Sequence, residues 1–453
     1  MSRLQPQHKT PLDDAPATPA AAAMAIAGRL DALQPPAGRA CLRIEARLEH
    51  ADAMAWLRSA PAGSRRYFRD RQGRLEVAGI GIAAEEELGR HAAWVQHDAP
   101  GASGTAAAWF VAMPFDRAQP RDPAWASFGA GGCVLPEIEL RRSADAATLA
   151  VHVTESTDRA ALRASLEALA SPADACIIEP ALVREDDPGD EGRWMRAVES
   201  ALARIRSGEF RKLVLARRRR YRASAALEPV GILARLGARE SRGFRFLVEA
   251  APGRAFLGVT PERLVSRAGG NARSEAVAGT RPRGVDAAAD RLLGESLQAS
   301  TKDRAEHELV VERVRDALAA CATTVRADAQ PRLLRLAYVQ HLQTRLHAAL
   351  RPGTGDADLV AALHPTPAVA GSPVAAATEA LRALEPFDRG LYAGPVGVVS
   401  RDGAEIAVAI RSALVEGDVL TAFAGAGIVD GSDPAEEWRE TGHKLLAFEG
   451  LAR

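Results

Sequence analysis

The run Val419-Leu-Thr-Ala-Phe-Ala-Gly-Ala-Gly-Ile-Val429, continued through Asp433-Pro-Ala-Glu-Glu-Trp-Arg-Glu-Thr-Gly-His-Lys444, carries the pattern on which the fold turns. Glu416, Gly417 and Asp418 ahead of it read as a hairpin turn into the apolar strand Val419 to Phe423. A helix is expected from about Pro434 to Phe448. Asp433 can cap it, Pro434 suits its first position and Glu436 completes a capping box. Working outward, Lys212 to Ala216, Ala255 to Val259, Ala276 to Gly279, Leu391 to Val399 and Ile406 to Ser412 read as further strands. Helices are expected from about Thr301 to Ala322 and from Arg193 to Arg206. In the latter, Trp194, Val198, Ala201 and Ile205 recur at helical spacing before Ser207 and Gly208 end it. Strands dominate after residue 208, with helices between them, so the class is mixed α/β in the α+β sense.

The rest of the chain is quieter. Short apolar stretches such as Trp109 to Pro114, broken by Gly, Pro and Asp, mark residues 31–190 as scaffold, and 191–453 as the part that carries chemistry. Residues 1–30, rich in Ala and Pro without a sustained period, read as a mobile tail. The apolar run Ala20 to Ala27 is too short to span a bilayer, and Asp13 and Asp14 stand where a signal peptide would carry basic residues, so no membrane partner is expected. Lys+Arg and Asp+Glu both number 58, which leaves no global field for nucleic acid. Cys41, Cys133, Cys176 and Cys321 form no metal pattern and suit reduced thiols in a cytoplasmic protein.

Asp303 and Glu306 stand three apart on one expected helix, and Glu437, Glu440 and Lys444 share a face of the other. A solvated face is the ordinary meaning of one such pair. Two helices offering two carboxylates each suit Mg²⁺, which prefers oxygen ligands and is commonly held by one or two carboxylates plus an anionic substrate. No His/Cys spacing of the zinc type competes.

At these residues the chain resembles the chorismate-utilising enzymes, whose fold is that of anthranilate synthase component I, and among them the isochorismate synthases most closely. Seven blocks carry the resemblance: Lys212 to Arg217, Phe256 to Arg263, Ala276 to Gly284, Lys302 to Glu308, His364 to Gly371, Glu385 to Tyr392, and Phe423 to Val429 with Glu437 to Lys444. The resemblance implies a single large body of two antiparallel β-sheets flanked by helices, with the site between them, a monomer, and Mg²⁺ as cofactor. It implies Glu306 and Glu437 as metal ligands, with Asp303 and Glu440 acting nearby. The substrate, chorismate, would be held by Arg411, Tyr392 and Lys444, and by backbone amides at Gly279 and Thr280 and at Gly425, Ala426 and Gly427. Strand alternation would set Arg411 opposite Ile406, Val408 and Ile410. His341 matches a position near the substrate ring, and a core histidine is an equal reading of it.

Within the family the nucleophile differs. The water users resembled here carry a lysine at the position of Lys212, which implies Lys212 as general base, working with a lowered pKa, and Glu262 as the acid that protonates the departing 4-hydroxyl. Ala278 stands where aminodeoxychorismate synthases commonly carry a nucleophilic lysine, which sets that reaction aside. Gly132-Cys133-Val134 lacks the glycine of a glutaminase elbow, and Arg217 to Arg220 read as a solvated strand end. The expected activity is conversion of chorismate to isochorismate. A salicylate synthase shares Lys212, Glu262 and both metal segments and is the alternative, ahead of an aminating enzyme or an inactive binding homologue.

Overall fold

A computed structural model describes residues 18–100, 102–119, 122–143, 146–170 and 180–452. The strand Lys212–Ala223 shows why the chain folds as it does. Its first six residues, Lys212 to Arg217, are buried, and from Arg218 to Arg222 exposed and buried residues alternate. This is the period of two of a strand with one covered face. The basic run is therefore strand interior, and the expectation of a solvated strand end is corrected for two of its four arginines. Arg217 and Arg219 are buried, and Arg217 Cζ lies 3.6 Å from the centroid of the Trp438 ring.

The described strands form two sheets, one of 13 strands and one of 10. Pairing is antiparallel except where Ala40–Leu48 meets Val95–Asp98 in parallel. Apolar side chains of both sheets meet in one core that includes Phe68, Trp109, Leu215, Phe256, Ile406 and Phe423. On the other face of the larger sheet a second core is closed by helices, with Ile26, Leu57, Leu166, Leu233 and Phe448 inward. The helices Asp190–Arg206, Thr301–Cys321 and Pro434–Glu449 stand within a few residues of where they are expected. Asp433 accepts from the Glu436 amide as a cap should, whereas the Glu436 carboxylate lies 3.8 Å from Arg439.

One expectation about the first half needs correction. Pro19–Arg29 is a helix with Ala22, Ala23, Ile26 and Ala27 buried, capped by Thr18, so this part of the supposed tail packs into the core. Residues 1–17 lie outside the described residues. Both sheets also run across residue 190: Phe244–Ala251 pairs with Arg66–Arg69, and Pro395–Val399 pairs with Trp109–Ala112. Three of the four cysteines are buried and free, and Cys176 lies outside the described residues. Among the described residues no helix is long and apolar enough to cross a membrane.

The segment from Gly403 to Glu416 departs most from its expected form. The strand Gly403–Val408 lies in the smaller sheet and Ser412–Glu416 in the larger one. Arg411 sits at the crossover with φ +52°, not within a strand, so the alternation argument does not place it. Arg411 and Ala393 are the non-glycine residues with positive φ among those described. Such backbone costs about 1–3 kcal/mol and collects at functional sites.

Candidate active site

A cavity of about 360 Å³ opens where the two sheets meet the carboxylate-bearing helices. Lys212, the first residue of its strand, is 2% exposed, and its Nζ lies 2.8 Å from Glu306 Oε1 on the helix Thr301–Cys321. Gly427 faces this pair from the neighbouring strand. A Cβ there would lie 2.9 Å from Lys212 Cε and 3.2 Å from Glu306 Oε1, so the ion pair needs glycine. Gly279 makes room in another way. It adopts φ +73° at a bulge in Asn271–Pro282, which bends the strand toward Asp303.

Glu262 follows the strand Arg254–Thr260 and is buried, receiving a hydrogen bond from Thr366 Oγ1 at 3.4 Å. Burial pushes its carboxyl up to about 7, against smaller opposing contributions from Thr366 and Lys212. His341 Nδ1 lies 3.1 Å from the Gly279 carbonyl oxygen, which only accepts, so Nδ1 carries the proton and Nε2 is the acceptor. Burial, with Arg411 and Lys444 nearby, holds this imidazole neutral with its pKa lowered to about 3. Tyr392 stacks on Phe423 with centroids 5.1 Å apart.

Charge in the cavity is mostly paired. Lys212 holds Glu306, Lys444 Nζ lies 2.6 Å from Glu440, and Arg281 lies 2.7 Å from Asp303. Glu437 and Arg411 make no ion pair within 4 Å among the described residues. Burial and the neighbouring Glu440 push the Glu437 carboxyl up to about 7. The site thus presents one carboxyl suited to a cation and one guanidinium suited to an anion.

A family model described as chorismate binding enzyme matches residues 30–451. The chain belongs to this family. Among curated relatives of this chorismate-binding enzyme, isochorismate synthase MenF of Bacillus subtilis is 34% identical over 342 residues, covering 74% of this chain and 72% of the relative. The salicylate biosynthesis isochorismate synthase of Pseudomonas aeruginosa is 38% identical over 343 residues, with the same coverage of each chain. The solved structure of MenF, the menaquinone-specific isochorismate synthase from Escherichia coli, aligns with a TM-score of 0.83 at 28% identity, over 96% of this chain and 99% of that one. Anthranilate synthase component I from Streptococcus pneumoniae shares the fold, at TM-score 0.62 and 20% identity.

Of the residues singled out in the sequence, Lys212, Glu262, Gly279, Thr280, Asp303 and Glu306 line the cavity of this chorismate-binding enzyme. So do His341, Tyr392, Arg411, Gly425, Gly427, Glu437, Glu440 and Lys444. Ala426 is turned with its side chain into the core between its glycine neighbours, so only its backbone is left for the part expected of it. Sequence reasoning missed Thr366 and Arg281, both polar residues inside quoted blocks. It also missed the buried pair Glu385 and Arg389, which braces the site. Glu385 Oε1 accepts from the Ala216 amide at 2.8 Å, and Arg389 donates to the carbonyls of Val214 and Val369 at 2.6 and 2.7 Å.

The buried imidazoles set the acid stability. Burial lowers His152, His307 and His364 to about 4 and His341 to about 3. As pH falls below about 6.5 the unfolded chain takes up these protons first, so each imidazole costs stability until its folded pKa is passed. Glu262 and Glu437, raised to about 7, act in the opposite sense between about 7 and 4.5. Four groups outweigh two, and melting temperature is expected to fall steadily from pH 6.5 to 4. A flat melting profile over that range would contradict this assignment of neutral histidines.

Proposed function

We propose that the chain is an isochorismate synthase, adding water at C2 of chorismate as the C4 hydroxyl leaves and the ring double bonds shift. The observation that carries the reading is the placement of Lys212 and Glu262 on one cavity, the carboxyl raised to about 7 and so available as a proton donor near neutrality. Lys212 takes the proton of the attacking water, and Glu262 gives one to the departing hydroxyl. Arg411, which has no carboxylate within 4 Å among the described residues, clasps a substrate carboxylate, and Tyr392 and Lys444 bound the same space. The relatives named isochorismate synthase support the same reaction.

Mg²⁺ belongs to this proposal. The donor set fits it: Glu437 and Glu306 are carboxylate oxygen donors on two helices that line one cavity, and among the described residues Glu437 has no cation within 4 Å to displace. When bound, Mg²⁺ supplies positive charge that polarises the ring carboxylate of the substrate. Asp303 and Glu440 remain paired with Arg281 and Lys444 and orient the surroundings of the ligands.

The product decides between the isomerase and a lyase that goes on to salicylate. Purified enzyme, chorismate and Mg²⁺ near neutral pH are expected to reach the same chorismate–isochorismate mixture from either side, resolved by chromatography. Salicylate and pyruvate formed at the rate of chorismate loss would replace this reading with the lyase.

A further inference from the structure

Among the described residues one side chain hydrogen-bonds to the buried Glu262 carboxyl: Thr366, whose Oγ1 donates to Oε1. Charged groups act on it from three further elements. Lys212 on Lys212–Ala223 and Lys444 on the last helix favour its ionised form, and Glu275 on Asn271–Pro282 opposes it. Tyr392, kept protonated by burial, lines the same cavity. These act through space, whereas Thr366 makes contact.

Glu262 and Thr366 are each fixed to a different sheet. The Glu262 carbonyl accepts from the Val408 amide at 3.0 Å, and Thr260 Oγ1 donates to the Val408 carbonyl at 2.6 Å, which ties residues 260–262 to the smaller sheet. The Thr366 carbonyl accepts from the amides of Val369 and Ala370 at 3.1 and 3.0 Å. The loop so folded docks on the edge of Lys212–Ala223 in the larger sheet. There the Ala370 carbonyl accepts from the Val214 amide at 2.9 Å, and the Val369 carbonyl from Arg389 at 2.7 Å. The hydroxyl is thus held against the carboxyl from the opposite sheet. Glu262 lines the catalytic cavity and Thr366 does not, so the hydroxyl reaches the substrate only through the carboxyl.

We propose that Thr366 is a positioning residue for the reaction: by donating to Oε1 it turns Oε2 toward the cavity as the oxygen that carries and delivers the acid proton. This rests on the reading of Glu262 as the general acid. The O–H bond at Oε2 breaks as one forms to the departing C4 oxygen, and the charge left on the carboxylate is shared with Oε1. The Thr366 bond strengthens there as that charge develops. A donor to the charged form also favours ionisation. Without it the carboxyl keeps its proton to higher pH and gives it up less readily.

The test uses the full chain with glutamate labelled at the side-chain carboxyl, followed by carbon NMR, the Glu262 resonance being the one lost in Glu262→Gln. In Thr366→Val the midpoint of its titration is expected to rise by about half a pH unit or more, the weight of one hydrogen bond. In the same variant kcat is expected to fall about threefold to tenfold, with KM within about twofold of the parent, because Thr366 does not touch substrate. Thr366→Ser keeps the hydroxyl and is expected to titrate and turn over like the parent. Thr366→Ala reads the same shift where the valine variant does not fold. The proposal is overturned by a parental midpoint in Thr366→Val or Thr366→Ala, or by a midpoint moved as far in Thr366→Ser. A raised midpoint with unchanged kcat also overturns it, since the hydroxyl would then tune the carboxyl without serving the reaction. Full turnover in Glu262→Gln is a different failure: it ends the acid role of Glu262 and takes this inference with it.

Discussion

Lys212→Ala is expected to lower kcat by about 10²–10⁴, the usual span for a positioned acid or base. The side chain is 2% exposed and its Nζ lies in the catalytic cavity, so no solvent lysine takes its place. Removing it also leaves Glu306 without its internal cation, and circular dichroism should accompany the kinetics to show that the variant is folded. Glu262→Gln is expected to lose a similar factor, with one added signature. The acid form of Glu262 is depleted as pH rises through about 7, so kcat of the parent enzyme falls on that alkaline side. Glutamine has no such proton, and the limb should vanish in the variant. An undiminished rate in folded Lys212→Ala would remove the argument for water activation.

Chelation is expected to abolish turnover, with Mg²⁺ restoring it. Glu437 is the proposed ligand on which the prediction most depends, because its carboxyl is buried beside Glu440 and lacks an ion-pair partner among the described residues. Glu437→Ala should weaken metal-dependent chorismate binding more than Asp303→Ala, since Asp303 is engaged with Arg281. Glu306→Ala tests both roles at once, because Glu306 also holds Lys212. Calorimetric titration of Mg²⁺ in the presence of substrate reads these differences without turnover. Full activity in metal-free buffer would remove the metal from the mechanism.

Residues whose position follows from local pattern were legible in the sequence. The caps at Asp433 and Pro434 mark the last helix, and glycines at 425 and 427 mark a strand that must pass close to something. Lys212, Glu262, Asp303, Glu306, Glu437, Glu440 and Lys444, all from the quoted blocks, converge on one cavity. What local pattern could not give was the company each group keeps. Arg411 reads as a strand residue from Ile406 to Ser412, but the chain changes sheets there, a tertiary event with no local signal except a residue forced to positive φ. The helix at Pro19 was hidden by alanine-rich composition, although Thr18 and Pro19 form a proper start.

The strand Val419–Val429 lies between Lys212–Ala223 and Ser412–Glu416 in the larger sheet, although it is the last strand of the chain. During synthesis its long partner Lys212–Ala223 therefore leaves the ribosome with an open edge that stays unpaired until Val419–Val429 has been made. An open apolar edge invites pairing with other chains. Exposed arginines at 218, 220 and 222 line one face of that waiting strand, and charge on an unfinished edge opposes association. The same order of assembly withholds the site: Glu437, Glu440 and Lys444 arrive on the helix that follows this strand, so nascent chains lack this wall of the cavity until the sheet is whole.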